Sequence, residues 1–205
     1  TERNHELTEE LFNDTDLFSS YIGNKLKQFD AKYGIGGYGE LRGVYNRSKI
    51  FDAEKPGDEP RRLHLGVDIW GKAGTPVHAF LGGMIHSFAF NNHFGDYGAT
   101  LVLSHIIEEI SFHTLYGHLS LNSIKNFREG ENVKRGDVIG EFGIPMENGQ
   151  WPPHLHFQII VDMEVPIAIG RIGDYPGVCK LSEREKFLDN CPDPDIILQM
   201  IKYAT

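Results

Sequence analysis

The sequence predicts a mainly β protein, built on an antiparallel sheet or flattened barrel with peripheral helices at the N- and C-terminal ends. Short apolar runs follow one another closely between residues 63 and 162. Glycine-containing turns separate these runs, and helical spacing of apolar residues is almost absent there. Dense short strands with tight turns are typical of antiparallel sheets. The 205-residue length suits one domain with appendages.

The first part of the chain, residues 1–62, is predicted to be a helix and an arm that pack on the core. Helical spacing runs from Thr1 to about Lys32, and Asn13, Asp14 or Thr15 can cap its start. The apolar positions that carry this spacing are Leu17, Phe18, Tyr21, Ile22 and Leu26. The stretch from Gly34 to Arg62 is rich in glycine and charge, which indicates an irregular arm and not a separate domain.

Three hairpins are predicted in the core, residues 63–162. The first joins a strand at 75–80 to one at 84–90 through a Gly82-Gly83 turn. The second joins strands at 100–104 and 110–116. The third spans 132–140 around a Lys-Arg-Gly-Asp turn.

In the C-terminal extension, residues 163–205, a capping box of Ser182 and Glu185 is predicted to open a helix to Leu188. A second helix is predicted over 196–201, after Asp193-Pro194-Asp195.

Composition and charge exclude several classes of partner. The formal net charge of −9 argues against nucleic-acid or anionic-membrane surfaces. No run approaches the roughly 18 apolar residues of a membrane span. Because the chain begins with Thr, its lack of an export signal carries no information. Cys179 and Cys191 are expected to be two unrelated thiols, with a disulfide as the alternative in an exported protein.

Two pairs of polar residues indicate a metal centre on a sheet. His154 and His156 are two residues apart, so on a strand both side chains leave the same face. His64 and Asp68 are four apart and again share a face. Two imidazoles and one carboxylate form the three-ligand set of catalytic zinc, which leaves a fourth position open. Both histidines of the His-x-His pair can bind, or one can bind while the other moves protons. The helical His-Glu-x-x-His signature is absent.

Five motifs in this order resemble the lysostaphin-like zinc metallopeptidases, which cleave peptides of bacterial peptidoglycan. They are His64-x-x-x-Asp68, Gly74-Thr75-Pro76-Val77-x-Ala79, Tyr116-x-His118-Leu119-Ser120, Val133-Lys134-x-Gly136-Asp137-x-Ile139-Gly140 and Pro153-His154-Leu155-His156-Phe157. The resemblance covers about residues 63–160. It implies one Zn²⁺ per chain on His64, Asp68 and His156, with His118 and His154 as unliganded catalytic imidazoles.

The flanking sequences resemble a narrower subgroup, in which a similar domain lies between a phosphotransferase-like and an aminotransferase-like domain in bacterial fusion proteins. The similar segments are 174–178, 182–184 and 192–195. That subgroup implies a cytoplasmic protein, whereas a wall hydrolase is exported, so the two resemblances predict different compartments. The family has a small, Gly/Ser-rich segment before His154. Here the segment is Glu147-Asn148-Gly149-Gln150-Trp151-Pro152-Pro153, and its tryptophan and two prolines are expected to stiffen and narrow the cleft.

The sequence therefore predicts a zinc-dependent metalloendopeptidase that hydrolyses short peptide amides, with peptidoglycan-derived peptides as one candidate substrate. Two alternatives remain. The Val133–Gly140 segment is similar to phosphohistidine carrier domains, although such a carrier needs no carboxylate like Asp68. A catalytically silent scaffold or regulator of the same fold is the second. The histidines outside the motifs are expected to be surface or hydrogen-bonded residues: His78, His86, His93, His105 and His113. Trp70, Tyr97 and Trp151 are expected either to line the groove or to pack beside it.

Overall fold

A seven-stranded antiparallel sheet forms the centre of the protein in the computed structural model, which describes residues 7–164 and 173–204. The strands are β1 Gly34–Gly36, β2 Leu63–His64, β3 Val67–Trp70, β4 Pro76–His78, β5 Gly83–Asn91, β6 Gly98–Ile107, β7 Ile110–Leu119, β8 Asn132–Val133, β9 Val138–Glu141, β10 His154–Ile160 and β11 Val178–Cys179. The α-helices are α1 Glu9–Asn13, α2 Thr15–Gln28, α3 Leu121–Ile124, α4 Arg184–Asn190 and α5 Asp195–Leu198. The predicted mainly β class with terminal helices is confirmed.

The order of the large sheet is β1-β3-β10-β7-β6-β5-β8. Two further sheets pair β11 with β2 and β4 with β9. The predicted hairpin of strands at 100–104 and 110–116 is confirmed as the longer pair β6–β7. The strand β10, which carries the His-x-His pair, lies between β3 and β7 and is buried along its whole length. Both of its faces are covered, which is consistent with the apolar residues Phe157, Ile159 and Ile160 that follow His156.

Two of the predicted hairpins are wrong. The segment at 76–78 pairs with β9, not with β5, and β5 pairs instead with β6 and β8. The segment at 132–140 is divided between two sheets, since β8 joins β5 and β9 joins β4. The turn at 134–137 directs the chain from one sheet to the other. There the Gly136 amide donates to the Ala79 carbonyl, and the Ala79 amide donates to the Asp137 carbonyl. Short apolar runs show where strands are, but not which strand each one pairs with.

Alternating side chains place two apolar layers on the two faces of the sheet. Leu101, Leu103 and Tyr116 lie in the larger cluster, while Val102 and Leu115 lie in the second. The second cluster is closed by the C-terminal extension, which contributes these residues: Tyr175, Cys179, Phe187 and Cys191. The two thiols are buried and unpaired, as expected.

The N-terminal helix is present but is divided at Asp14. The Asp14 carboxylate accepts hydrogen bonds from the amides of Asp16 and Leu17, as an N-cap should. Phe18 of α2 is buried in a third apolar cluster with Tyr45 and Trp151. The arm therefore packs on the core beside the His-x-His strand. Residues 1–6 of the predicted helix lie outside the described residues.

The C-terminal helices differ in detail from those predicted. The capping box is wrong, because Ser182 lies inside a 3-10 turn, Leu181–Glu183, that precedes α4. The Glu59 carboxylate, from the arm, accepts the Leu181 and Ser182 amides instead. The second helix is shorter than predicted, over Asp195–Leu198, with a 3-10 turn at Ile201–Tyr203. Residues 165–172 of this extension are outside the described part of the chain.

None of the helices described within 7–164 and 173–204 has the length and apolarity needed to cross a membrane.

Candidate metal centre

The centre is assembled where β3 and β10 run side by side. Their antiparallel register places Asp68 opposite His156 and Trp70 opposite His154. Gly66 allows the close approach of β10, because a Cβ atom there would lie 2.6 Å from the His156 imidazole. The five residues that the sequence singled out, His64, Asp68, His118, His154 and His156, are brought together, and all are buried.

His118 reaches this centre through a bulge in β7. Tyr116 and Leu119 are three residues apart, yet both side chains pack in the same apolar cluster. Strict alternation would place them on opposite faces, so the strand contains one extra residue, and the β6–β7 register shifts at this point. His118 itself has a φ of 63°, which a residue with a side chain rarely adopts. The bulge turns the His118 ring away from the core face and towards His154, with ring centroids 4.1 Å apart.

Three ligand atoms converge in the centre. His64 Nε2 lies 2.9 Å from His156 Nδ1, and Asp68 Oδ1 lies 3.1 Å from His156 Nδ1 and 3.3 Å from His64 Nε2. Within residues 7–164 and 173–204, His64, Asp68 and His156 form a group whose ligand atoms all lie within 4.8 Å of one another, so they could hold one metal ion. The separations are close to the roughly 3.3 Å expected between ligand atoms that sit about 2.0–2.1 Å from a tetrahedral zinc ion.

Hydrogen bonds fix which ring nitrogen of each ligand is free. His64 Nδ1 is 3.0 Å from the Gly37 carbonyl oxygen, which only accepts, so Nδ1 carries the proton. Gln158 donates its amide N–H to the Pro176 carbonyl, so its oxygen faces His156. That oxygen lies 2.9 Å from His156 Nε2 and accepts its N–H, so the proton of this ring is on Nε2. His64 Nε2 and His156 Nδ1 therefore both present lone pairs to the Asp68 carboxylate.

A cation is the group that fits between three such acceptors. Burial, with the nearby Arg42 guanidinium, lowers the pKa of His64 to about 4, so protonation of His64 does not fill this place at neutral pH. Burial alone would raise the pKa of the Asp68 carboxyl, but His64 and Arg42 outweigh it and hold that pKa well below its usual range. An ionised carboxylate and imidazole nitrogens are donors that suit a divalent transition metal.

Two further imidazoles face the same cleft with one nitrogen free. His118 Nδ1 donates to the Asn148 carbonyl at 2.8 Å, and His154 Nδ1 donates to the Pro152 carbonyl at 2.7 Å. Burial lowers the pKa of His154 to about 4 and that of His118 well below its usual value. Both rings are thus neutral proton acceptors at Nε2. His154 also stacks on Trp70, with ring centroids 4.1 Å apart, which fixes its orientation.

The loop before β10 is held rigid by Asn148, which is fully buried. Its side-chain amide donates to the carbonyls of Gly143 and Trp151, and its side-chain oxygen accepts the Trp151 amide. Trp151 packs against the arm at Tyr45. The segment that departs from the family pattern therefore positions His118 through the Asn148 carbonyl.

A cleft of about 1550 Å³ opens over the centre. Its walls combine the arm, the loop at 93–97, the loop before β10 and residues 174–180, and they include Trp70, Tyr97 and Trp151. This volume exceeds the roughly 300–1,000 Å³ of ordinary small-molecule pockets, so it has room for a short peptide. The histidines outside the motifs do not join the ligand group; His105, for example, is bonded to Gly82 and Thr114.

The sequence did not predict three residues that each bond one of the five site residues. They are Arg42, which bonds Asp68, Gln158, which bonds His156, and Asn148, which bonds His118. No pairwise spacing links Arg42 or Asn148 to its partner. Gln158 does continue the two-residue spacing of His154 and His156 on β10, and that signal was available.

The comparisons with known proteins agree with this geometry. Residues 62–167 match the description of "Peptidase family M23", a match over half of the chain. The chain belongs to peptidase family M23. The matched stretch contains all five candidate site residues, and it begins after the arm that supplies Gly37 and Arg42.

Several relatives within family M23 are peptidases by name. DD-carboxypeptidase/endopeptidase Mpg of Neisseria meningitidis serogroup B is 37% identical over 98 residues, 47% of this chain and 20% of that protein. L-Ala--D-Glu endopeptidase of Bacillus subtilis is 32% identical over 108 residues, 50% of this chain and 31% of that protein. Lysostaphin of Staphylococcus simulans is 36% identical over 100 residues, 49% of this chain and 18% of that protein. The chain thus spans between a fifth and a third of the length of the first two.

Among solved structures, the chain is similar to the catalytic domain of lysostaphin from Staphylococcus simulans. The two share 24% identity over 79% of this chain and 92% of that chain, with a TM-score of 0.44.

Proposed function

We propose that the chain is a zinc-dependent metalloendopeptidase domain that hydrolyses amide bonds in short peptides. The observation that carries this proposal is the set of three acceptor atoms with converging lone pairs, next to two neutral imidazoles with free Nε2 atoms. His64, Asp68 and His156 would hold the metal, and zinc suits their donor set. Zinc, when bound, supplies the Lewis acidity that activates water near neutral pH and polarises a carbonyl group.

The chain's own residues supply the proton transfers. His118 and His154 each have Nε2 unprotonated, so either can accept a proton from the attacking water. The same imidazolium can then donate that proton to the leaving amine. Each Nδ1–H is held by a backbone carbonyl, which fixes the ring in the orientation that the transfer needs. No carboxylate is required as general base.

The substrate is proposed to be a short peptide that contains glycine or D-alanine. Two relatives named above are, by their names, a DD-carboxypeptidase/endopeptidase and an L-Ala--D-Glu endopeptidase. The cleft volume fits several residues of an extended peptide. A net charge of −9 disfavours electrostatic capture of long anionic wall polymers, so soluble fragments are the better test substrates.

The two alternatives are weaker on this geometry. A phosphohistidine carrier would place a dianionic phosphoryl group beside the Asp68 carboxylate, which lies 3.1 Å from His156 and 3.3 Å from His64. That arrangement is repulsive. A silent scaffold has no need for two unliganded imidazoles held in one tautomer each. The proposal therefore takes the active peptidase as the function.

The first test measures metal. Purified protein should contain about one zinc per chain, and a chelator should abolish hydrolysis until zinc or cobalt is added back. His64→Ala and Asp68→Ala should lose the metal, whereas His118→Ala should keep it. Full zinc occupancy in both ligand variants would contradict the site.

The second test measures turnover. Zinc-loaded protein is incubated with soluble muropeptides, pentaglycine and a general peptide library, and new amino groups are counted by mass spectrometry. His118→Ala, which retains zinc, is the blank and should lose activity by about 10²–10⁴-fold. Absence of cleavage in all three substrate sets, with zinc bound, would favour the scaffold.

A further inference from the structure

The two oxygens of the Asp68 carboxylate have different surroundings. Oδ1 faces the ligand atoms of His64 and His156. Oδ2 instead forms an ion pair with Arg42 Nη1 at 2.5 Å. Asp68 is 4% exposed, so solvent does not compete for this contact. The guanidinium thus holds the oxygen that faces away from the ligand group.

Arg42 is itself fixed by the arm. Its Nη2 donates to the Gly37 carbonyl at 2.8 Å and its Nε donates to Glu40 at 3.1 Å. The side chain is 13% exposed. Gly36 leaves room for it, since a Cβ atom at that position would lie 2.9 Å from Nη2. Three directions of the guanidinium fork are therefore used, and the group has little freedom to leave Asp68.

The same stretch of arm also fixes the second ligand. The Gly37 carbonyl that accepts from Arg42 accepts the His64 Nδ1–H as well, at 3.0 Å. Backbone pairing between β1 and β3 sets Gly36 opposite Asp68. One backbone carbonyl and one side chain from outside residues 62–167 therefore orient two of the three ligand residues.

We propose that Arg42 is a positioning residue that restricts Asp68 to one metal-facing oxygen. A carboxylate free on both sides can bind an ion through two oxygens, as oxygen-preferring Ca²⁺ sites use it. With Oδ2 held by Arg42, Asp68 offers Oδ1 alone, so the residue supplies one ligand atom and a position stays available for substrate. The arm thereby determines coordination number and metal preference. This inference rests on the metal site of the proposed function, but not on the identity of its substrate.

The experiment compares Arg42→Met with the wild-type chain. Zinc and manganese affinities are measured by chelator competition. The coordination number is followed by the visible absorption of the cobalt-substituted protein. Arg42→Met should bind zinc about 10–100-fold more weakly, as loss of an outer partner of a metal ligand typically does. The ratio of its zinc affinity to its manganese affinity should fall, and the cobalt bands should weaken as the coordination number rises. An Arg42→Met protein with wild-type affinities and cobalt bands would overturn the proposal.

Two other arm variants control for folding and for charge. Arg62→Met removes an arm arginine whose side chain bonds Asp52 at 3.0 Å and Asn46 at 2.8 Å instead of Asp68, and it should leave all metal readouts unchanged. Arg42→Lys keeps a cation near Oδ2 and should restore most of the cobalt spectrum. If Arg42→Met does not fold, Glu40→Gln removes the negative charge of the exposed partner of Arg42, and it should still weaken zinc binding by about 2–5-fold, the range that the loss of an exposed ion pair gives. An unchanged zinc affinity in Glu40→Gln and an unrestored spectrum in Arg42→Lys would each count against the proposal.

The metal readouts separate this inference from the proposed function. If the wild-type protein cleaves no peptide but Arg42→Met changes metal coordination, the proposed peptidase function is wrong and the role of Arg42 stands. A wild-type peptidase whose metal binding is indifferent to Arg42 would do the opposite.

Discussion

Four buried imidazoles in the centre each have one N–H held by an acceptor of the protein. Backbone carbonyls of Gly37, Asn148 and Pro152 hold three of them, and the fourth, on His156, is held by the side chain of Gln158. Gln158 is fully buried and its own amide is fixed by Pro176. It is the one acceptor of the four that a substitution can remove without altering the backbone.

Gln158→Leu should therefore loosen the metal without touching a ligand. His156 loses the acceptor for Nε2–H, so the ring can rotate or change tautomer, and we expect zinc affinity to fall about 10–100-fold. Chelator competition on the intact chain measures the change. Gln158→Glu, which keeps an oxygen in reach of Nε2, should lose much less. Equal zinc affinities for Gln158→Leu and wild type would show that the amide does not orient His156.

Residue spacing predicted that His154 and His156 would lie together, but neither which of them is a metal ligand nor the residues around them. His154 and His156 lie on one strand, β10, where the period of two gives them a shared face. His64 and Asp68 lie on two different strands, β2 and β3, so the single strand predicted for this pair is wrong, although the two side chains still meet. His118 could not be placed in this way, because a bulge breaks the period of β7, and only the family resemblance pointed to it. Arg42 was missed since it meets Asp68 across 26 positions of chain, through an arm without periodic structure.

At the level of elements, α2 and the arm pack against the loop that orients His118. Phe18 lies in one cluster with Tyr45 and Trp151, and its ring centroid is 6.0 Å from that of Trp70. The buried Arg47 guanidinium stacks over Trp151 and donates to Thr15 of α2. These contacts join the N-terminal elements to the wall of the cleft.

Phe18→Ala should release this packing. Removing a buried Phe side chain costs about 3–5 kcal/mol, and here the loss falls on the contact between α2 and the core. We expect a lower melting temperature and new protease cleavage before Arg62. Leu17→Ala is the matched control on the same helix, because Leu17 is 49% exposed, and it should change either readout little. If Phe18→Ala leaves the protease cleavage pattern unchanged, the arm is held by other contacts.

The strand pairing shows why the fold was predicted only in part. The β6–β7 hairpin joins neighbouring runs with a short turn, which local sequence can specify. The pairing of β4 with β9 bridges about 60 positions and is chosen by the packing of the whole sheet. Local patterns thus specify where several core strands and the α2 cap lie, whereas the order of strands depends on distant partners.

At the scale of the whole molecule, the buried histidines link stability to pH. Burial lowers the pKa values of His64, His113 and His154 to about 4, against about 6.5 in an unfolded chain. Below pH 6.5 the unfolded chain therefore binds more protons than the folded one. The stabilisation is complete above pH 6.5 and is lost as the pH falls towards 4.

Metal-free protein should accordingly lose thermal stability on acidification. Between pH 7 and pH 4.5 we expect the melting temperature to fall by on the order of 10 °C, measured by circular dichroism in the presence of chelator. His113→Leu, which removes a titrating group outside the ligand set, should give a shallower slope. A melting temperature independent of pH over this range would contradict the assignment of these rings as buried and neutral.

The three residues of β1 have a further effect on recognition. They pair with β3 along Trp70, Ile69 and Asp68, so the strand that carries Asp68 has neighbours on both sides, β1 and β10. Many proteins bind peptides by accepting them as an extra strand on an open sheet edge. That mode is closed at β3. A peptide in the cleft is therefore not read through main-chain pairing with β3.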